Sequence, residues 1–210
     1  MRQTVNDVLA AYIPVDAVEA VSHILETHSI HLRITRNRLT KLGDYKPGRN
    51  GSPHQISVNG DLNIYEFLLV FLHELAHLKV YERYGRKVAP HGREWKEEYG
   101  AMIRRFTGAG LFHPSVCGLL VDYSYRVKAS GVAVVDVARA LRAFDKDQKP
   151  PAWLFLDEIK DTGVFQTRNG RMFRKEEKVR TRFRCLCLDN KKRYLIHAAA
   201  KVKPLHLIDG

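Results

Sequence analysis

Three cysteines in 210 residues, Cys117, Cys185 and Cys187, are too few for a disulfide-stapled scaffold. Cys185 and Cys187 stand in "RCLC" with no second cysteine pair, so a four-thiolate zinc site lacks half its ligands. Reduced thiols and no structural disulfide are expected. Long hydrophobic runs are lacking too. The most apolar stretch, NIYEFLLVFLHELAHL, is interrupted by acids and histidines, which excludes a bilayer span and a membrane partner. The first twenty residues, MRQTVNDVLAAYIPVDAVEA, lack the basic start and uninterrupted apolar stretch of a secretory signal, so the expected location is cytoplasmic. Acidic residues are the third shortage: 23 against 35 Lys plus Arg leave a formal charge of +12. Neither an internal repeat nor a low-complexity tract is present. What is present is 45% apolar residues, enough for one well-buried core with a smaller appendage.

Hydrophobic periodicity orders the chain. Val15, Val18, Val21, Ile24 and Leu25 recur at helical spacing, whereas "HLRITRN" alternates as a half-exposed strand does. "HQISVNG" alternates in the same way, and the turn-rich "KLGDYKPGRNGSP" between the two predicts a hairpin. Asn63 with Glu66 three positions on forms a capping box for a central helix reaching Tyr84, where Gly85 stops it. Nearly every side of that helix is apolar, so the other elements should pack around it. Trp95, Tyr99, Met102, Ile103 and Phe106 stripe a second helix. Residues 110 to 131 are weakly patterned, a loop or short helix, and "VAVVDVARALRAF" is a helix or a strand. Charge and two prolines in "DKDQKPP" mark a boundary, giving domains 1–145 and 151–210. The latter reads as a small antiparallel β unit from "AWLFL", "GVFQT", "RTRFRCLCL" and "KRYLIHAAAKV".

Within the central helix, "HELAH" places His73 and His77 four residues apart, on one face, where two imidazoles can meet one ion. Glu74 lies about 100° around from His73, within reach of a water at that ion without being a ligand. A catalytic zinc keeps three protein ligands and an open position. His91, after the turn at Gly85 and at the start of the next helix, is the favoured third ligand. His54, His113, His197, His206 and Glu94 compete, and Glu94 could instead be a supporting acceptor for a ligand imidazole. Short motifs of this kind occur by chance. Two histidines and a glutamate on a buried helix are nevertheless costly without something that satisfies them.

Around these residues, "KLGDY", "ISVNGDLNIYEFLLVFLHELAHLKV" and "PHGREWKEEYGAMIRR" resemble the SprT-like zinc metallopeptidases, the group of bacterial SprT proteins and the eukaryotic Spartan protease. The resemblance implies one Zn²⁺ on His73, His77 and His91, with Glu74 as general base. It also implies a minimal zincin core of helices against a small antiparallel sheet, so the expected class is α+β with a β-rich C-terminal domain. Cleavage of proteins bound or crosslinked to DNA is the activity it implies. The four-cysteine zinc ribbon of many SprT proteins is missing here.

Charge points the same way. Residues 141 to 210 hold 17 basic and 9 acidic residues, a surplus of eight. In "KVRTRFRCLCL" a single strand would project Arg180, Arg182 and Arg184 from one face, with Lys191, Lys192 and Arg193 arriving from the next turn. Such a patch binds nucleic-acid phosphates, DNA first, without reading sequence. The plainer account is a solvated face paired with Glu176, Glu177, Asp157 or Glu158. The leading expectation is therefore a zinc endopeptidase whose protein substrate lies on or near nucleic acid. Its alternatives are a nucleic-acid-binding protein with a structural or catalytically silent zinc site, and a zinc hydrolase for another amide.

Overall fold

The computed structural model describes residues 4–36, 38, 41–49, 51–127, 135–145 and 153–205. The chain forms two compact units, Met1–Lys146 and Asp147–Gly210. Most of "DKDQKPP" lies outside the described residues.

In the first unit, α1 (Val5–Ala10) is opened by a reciprocal box between Thr4 and Asp7. A single 3-10 turn, Val15–Ala17, leads into α2 (Val18–Thr27), which buries Val18, Val21 and Leu25. Val15 belongs to the turn rather than to the helical stripe and is 74% exposed.

Strand β1 (Ile30–Thr35) does not pair as a hairpin with β3 (His54–Asn59). The two run parallel, Leu32 beside Ile56 and Ile34 beside Val58. The connection between them is long enough to hold a strand of its own, β2 (Gly43–Lys46), which lies antiparallel along the far edge of β3 with Tyr45 beside Ile56. Two reversals return the chain to its first direction, so the sheet has the order β1-β3-β2 and is mixed, not antiparallel.

Helix α3 (Ile64–Tyr84) packs on β2 and β3 and against α4 (Arg93–Gly108). Asn63 Oδ1 accepts from the backbone N–H groups of Tyr65 and Glu66, which satisfies two orphan donors of its first turn. Gly85 adopts φ +62°, a left-handed conformation that costs glycine little, and ends it. Phe67, Leu68, Leu69, Phe71, Leu72, Leu75 and Leu78 are all at most 1% exposed. Full burial stabilises each by about 1.5–3 kcal/mol, so this helix is the core's main contributor. Residues 114–124, unpatterned in sequence, form α5 (Pro114–Ser124): Pro114 opens it and His113 caps it. The "VARALR" segment is helical, α6 (Val135–Arg142).

The second unit is one antiparallel sheet ordered β4-β9-β5-β6-β7-β8: β4 (Leu154–Phe155), β5 (Val164–Gln166), β6 (Met172–Val179), β7 (Arg182–Cys187), β8 (Arg193–His197) and β9 (Lys201–Leu205). Phe165, Phe173, Phe183, Cys185 and Cys187 are buried in it. The architecture is mixed α+β, with a strand-rich C-terminal unit. Among the described residues no helix is long and apolar enough to cross a membrane, and none of the three cysteines is in a disulfide.

Candidate metal centre

Helix α3 sets His73 and His77 one turn apart, and the turn before α4 returns His91 to them. His91 Nε2 lies 3.1 Å from His77 Nε2 and 3.4 Å from His73 Nε2. Three ring nitrogens thus converge, with at most one proton available on His91 Nε2 to share. A tetrahedral ion with metal–nitrogen bonds of about 2.0–2.1 Å separates its ligand atoms by about 3.3 Å, so the observed spacing fits a metal. This trio is the only cluster of potential metal ligands among the described residues.

Electrostatics favour the ligand form of each ring. Burial, with His77 and His91 adding, lowers His73 to about 3. Burial and then His91 lower His77 to about 4. His91 is lowered too, by burial and then Lys96. All three are neutral at pH 7, as ligation requires. Trp95, fully buried, walls the site: its indole stacks on His77 with centroids 5.3 Å apart, and Nε1 donates to the His73 carbonyl at 3.4 Å. Among the described residues His73 Nδ1 has no hydrogen-bond partner.

Glu74 is 7% exposed and faces β2, where its carboxyl accepts a backbone hydrogen bond from Tyr45. Burial, then Asp44, push it up to about 8, against the opposing pull of Arg38 and Lys41. Gly43 makes that approach possible. A Cβ there would lie 2.5 Å from Glu74 Oε1 and 2.8 Å from Val70 Cγ1. Gly43→Ala should therefore displace Glu74 and cost about 1–3 kcal/mol in chemical denaturation, while metal content stays unchanged. A glycine inside a short strand is the sequence signal for such an approach, and "KLGDY" carries it.

The rival ligands are engaged elsewhere. His54 Nδ1 is 2.8 Å from the Tyr45 hydroxyl, His113 caps α5, and His197 Nδ1 accepts from the Ala199 N–H. His206 lies outside the described residues. No hydrogen bond joins Glu94 to a ligand imidazole among the described residues; its carboxyl lies back beside Gly92.

The basic patch differs from its expected form. Arg180 is not on a strand with Arg182 and Arg184: it occupies the turn between β6 and β7 with φ +54°, because the run folds as a hairpin. Arg182 and Arg184 do share an exposed face of β7, and pairing of Leu186 with Arg193 brings Arg193 onto that face from β8. Lys191 and Lys192 lie in the connecting turn. Arg184 pairs with Glu177, and Arg193 Nε reaches Glu176 at 3.0 Å, so two arginines are answered by acids. Arg171 donates to Cys187 Sγ at 3.3 Å and to the Tyr194 hydroxyl at 3.0 Å. No protein-family model, curated protein or solved structure matches the chain.

Proposed function

We propose that the protein is a zinc-dependent endopeptidase. The observation that carries this reading is the convergence of three neutral imidazoles, with the carboxyl adjacent to the first of them buried beside a strand edge. The resemblance of the surrounding segments to SprT-like metallopeptidases supports it. His73, His77 and His91 would hold Zn²⁺, which when bound supplies Lewis acidity that acidifies a water and polarises a peptide carbonyl. Glu74 takes the proton of the attacking water on a carboxylate oxygen and returns it to the leaving nitrogen. The Tyr45 N–H and the packing against Gly43 orient that carboxyl. Strand β2 is an edge of the sheet, the side along which an extended substrate would add. A cytoplasmic setting agrees with the reduced cysteines. Zinc-dependent cleavage of an unfolded protein, lost on chelation and lost in Glu74→Gln, tests the proposal.

A second reading has its own support. The three-histidine cluster alone accounts for a metal site, and a Glu74 held by β2 can be a structural group. In that case the chain is a nucleic-acid-binding protein with a silent zinc. Both readings share a phosphate-binding face on β7 and β8. Its affinity for DNA should fall steeply with salt, and replacing Arg182, Arg184 and Arg193 by Ala should flatten the slope by up to about one log-log unit per lost contact. Fluorescence anisotropy over a salt series measures this. Absence of DNA or RNA binding at low salt would leave the Arg184 and Arg193 ion pairs as the whole role of the patch.

A further inference from the structure

A groove of about 340 Å³ opens between α2 and the α3–α4 pair. Its walls are Ile24, Leu75, Met102, Phe106 and Leu111, and the side chains of Leu75, Met102 and Phe106 are otherwise buried. Lys79 and Arg105 also line it. Among the described residues neither cation's side chain makes an ion pair or a hydrogen bond. No aspartate or glutamate is in the lining. Of the two histidines at the edge, His28 is held by Glu82 at 3.1 Å and His23 stands 3.5 Å from the Thr27 hydroxyl. The groove is separate from the metal centre. Leu75 follows His73 by two residues, about 200° around α3, and Lys79 continues the Leu75 stripe one turn on.

We propose that this groove binds a small amphiphilic carboxylate, an unbranched alkyl chain with one anionic head. The volume lies within the usual range of small-ligand sites and holds a chain of about ten carbons. A macromolecular partner would need about 800 Å² of surface on each side, which a single groove of this size does not offer. Charge complementarity selects the head group. A carboxylate is attracted by a lining whose charged groups are Lys79 and Arg105, an alkyl ammonium is repelled by both, and an alcohol leaves both cations unanswered. The apolar walls take the chain out of water, at about 0.8 kcal/mol per buried methylene.

Isothermal titration of the zinc-loaded protein with decanoate and decyltrimethylammonium, each below its micelle concentration, and with decan-1-ol below its solubility limit, tests this. Decanoate is expected to bind one to one, at least tenfold tighter than either companion. The K79A/R105A double variant should weaken decanoate at least tenfold and leave decanol unchanged, which separates the groove from any carboxylate bound at the zinc. Ala20→Phe, which fills the groove from α2, should weaken both ligands. The double variant changes only partly or fully exposed side chains, so it serves if Ala20→Phe does not fold. Equal binding of the three ligands, or decanoate binding that the double variant leaves intact, would overturn the proposal. So would an acidic amphipathic peptide that binds where decanoate does not, since the groove would then belong to a protein partner.

Discussion

Glu74→Gln is expected to keep the fold and one metal ion per chain while reducing peptide hydrolysis by about 10²–10⁴-fold, the usual contribution of a positioned base. The amide has the size of the carboxyl and can still accept from the Tyr45 N–H. It cannot take the proton of an attacking water. Burial already holds Glu74 at about 8 in the metal-free protein, so losing its charge there removes little stability. A cation held by the three histidines would favour the carboxylate instead, and would make a base of a group that burial otherwise holds toward its protonated form. The variant therefore separates the two functional readings. A silent zinc site predicts identical, absent turnover in wild type and E74Q, whereas a peptidase predicts activity in the first alone. Undiminished cleavage by zinc-loaded E74Q would assign the base to another residue. Cleavage assay and elemental analysis on the same preparations decide between these outcomes.

The parts of the structure legible in the sequence are those governed by local rules. α3 is legible because Asn63, apolar residues on nearly every side of the helix, and Gly85 each mark it independently. The pair of histidines follows from helical pitch alone. His91 was reachable by its place after a turn, yet its meeting with His73 and His77 depends on how α4 packs on α3, a tertiary fact. Strand pairing was less legible. Alternation identifies β1 and β3 but carries no direction, and β2 is four residues of "GDYK" with no alternation to detect. The same short segment supplies the surroundings of Glu74, so the least visible strand shapes the candidate base. In the second unit, alternation ran unbroken through Arg180 and Thr181 and concealed a turn, because a two-residue reversal preserves the period of two on either side. Phe183 and Cys185 are buried as the alternation requires, whereas Arg180 and Thr181 form the turn and Val179, paired with Arg182, is exposed on the side of the arginines.

His91→Ala should lower zinc affinity by more than about a hundredfold, beyond what loss of a supporting contact costs. His91 is the ligand best suited to the test. It stands in the turn before α4, and Gly92, not His91, is the N-cap, so its truncation leaves both helices closed. Removing His73 or His77 disturbs the interior of α3 as well. Wild type should gain about 4 kcal/mol of stability at a free zinc concentration a thousandfold above its dissociation constant, and H91A at most about 1.4 kcal/mol at that same concentration. Glu94→Ala should behave as wild type, since no hydrogen bond ties it to a ligand imidazole among the described residues. Acid supplies a second arm. Unfolded histidines take up protons below 6.5, whereas folded His73 and His77 resist until about 3 and 4. The unfolded chain then binds more protons, so stability present above pH 6.5 is lost as pH falls toward those values, with or without metal. A zinc competition titration at pH 7, followed by denaturation from pH 7 to 4, measures both. Wild-type zinc affinity in H91A would remove His91 from the site, and its loss in E94A would give the third position to that carboxylate.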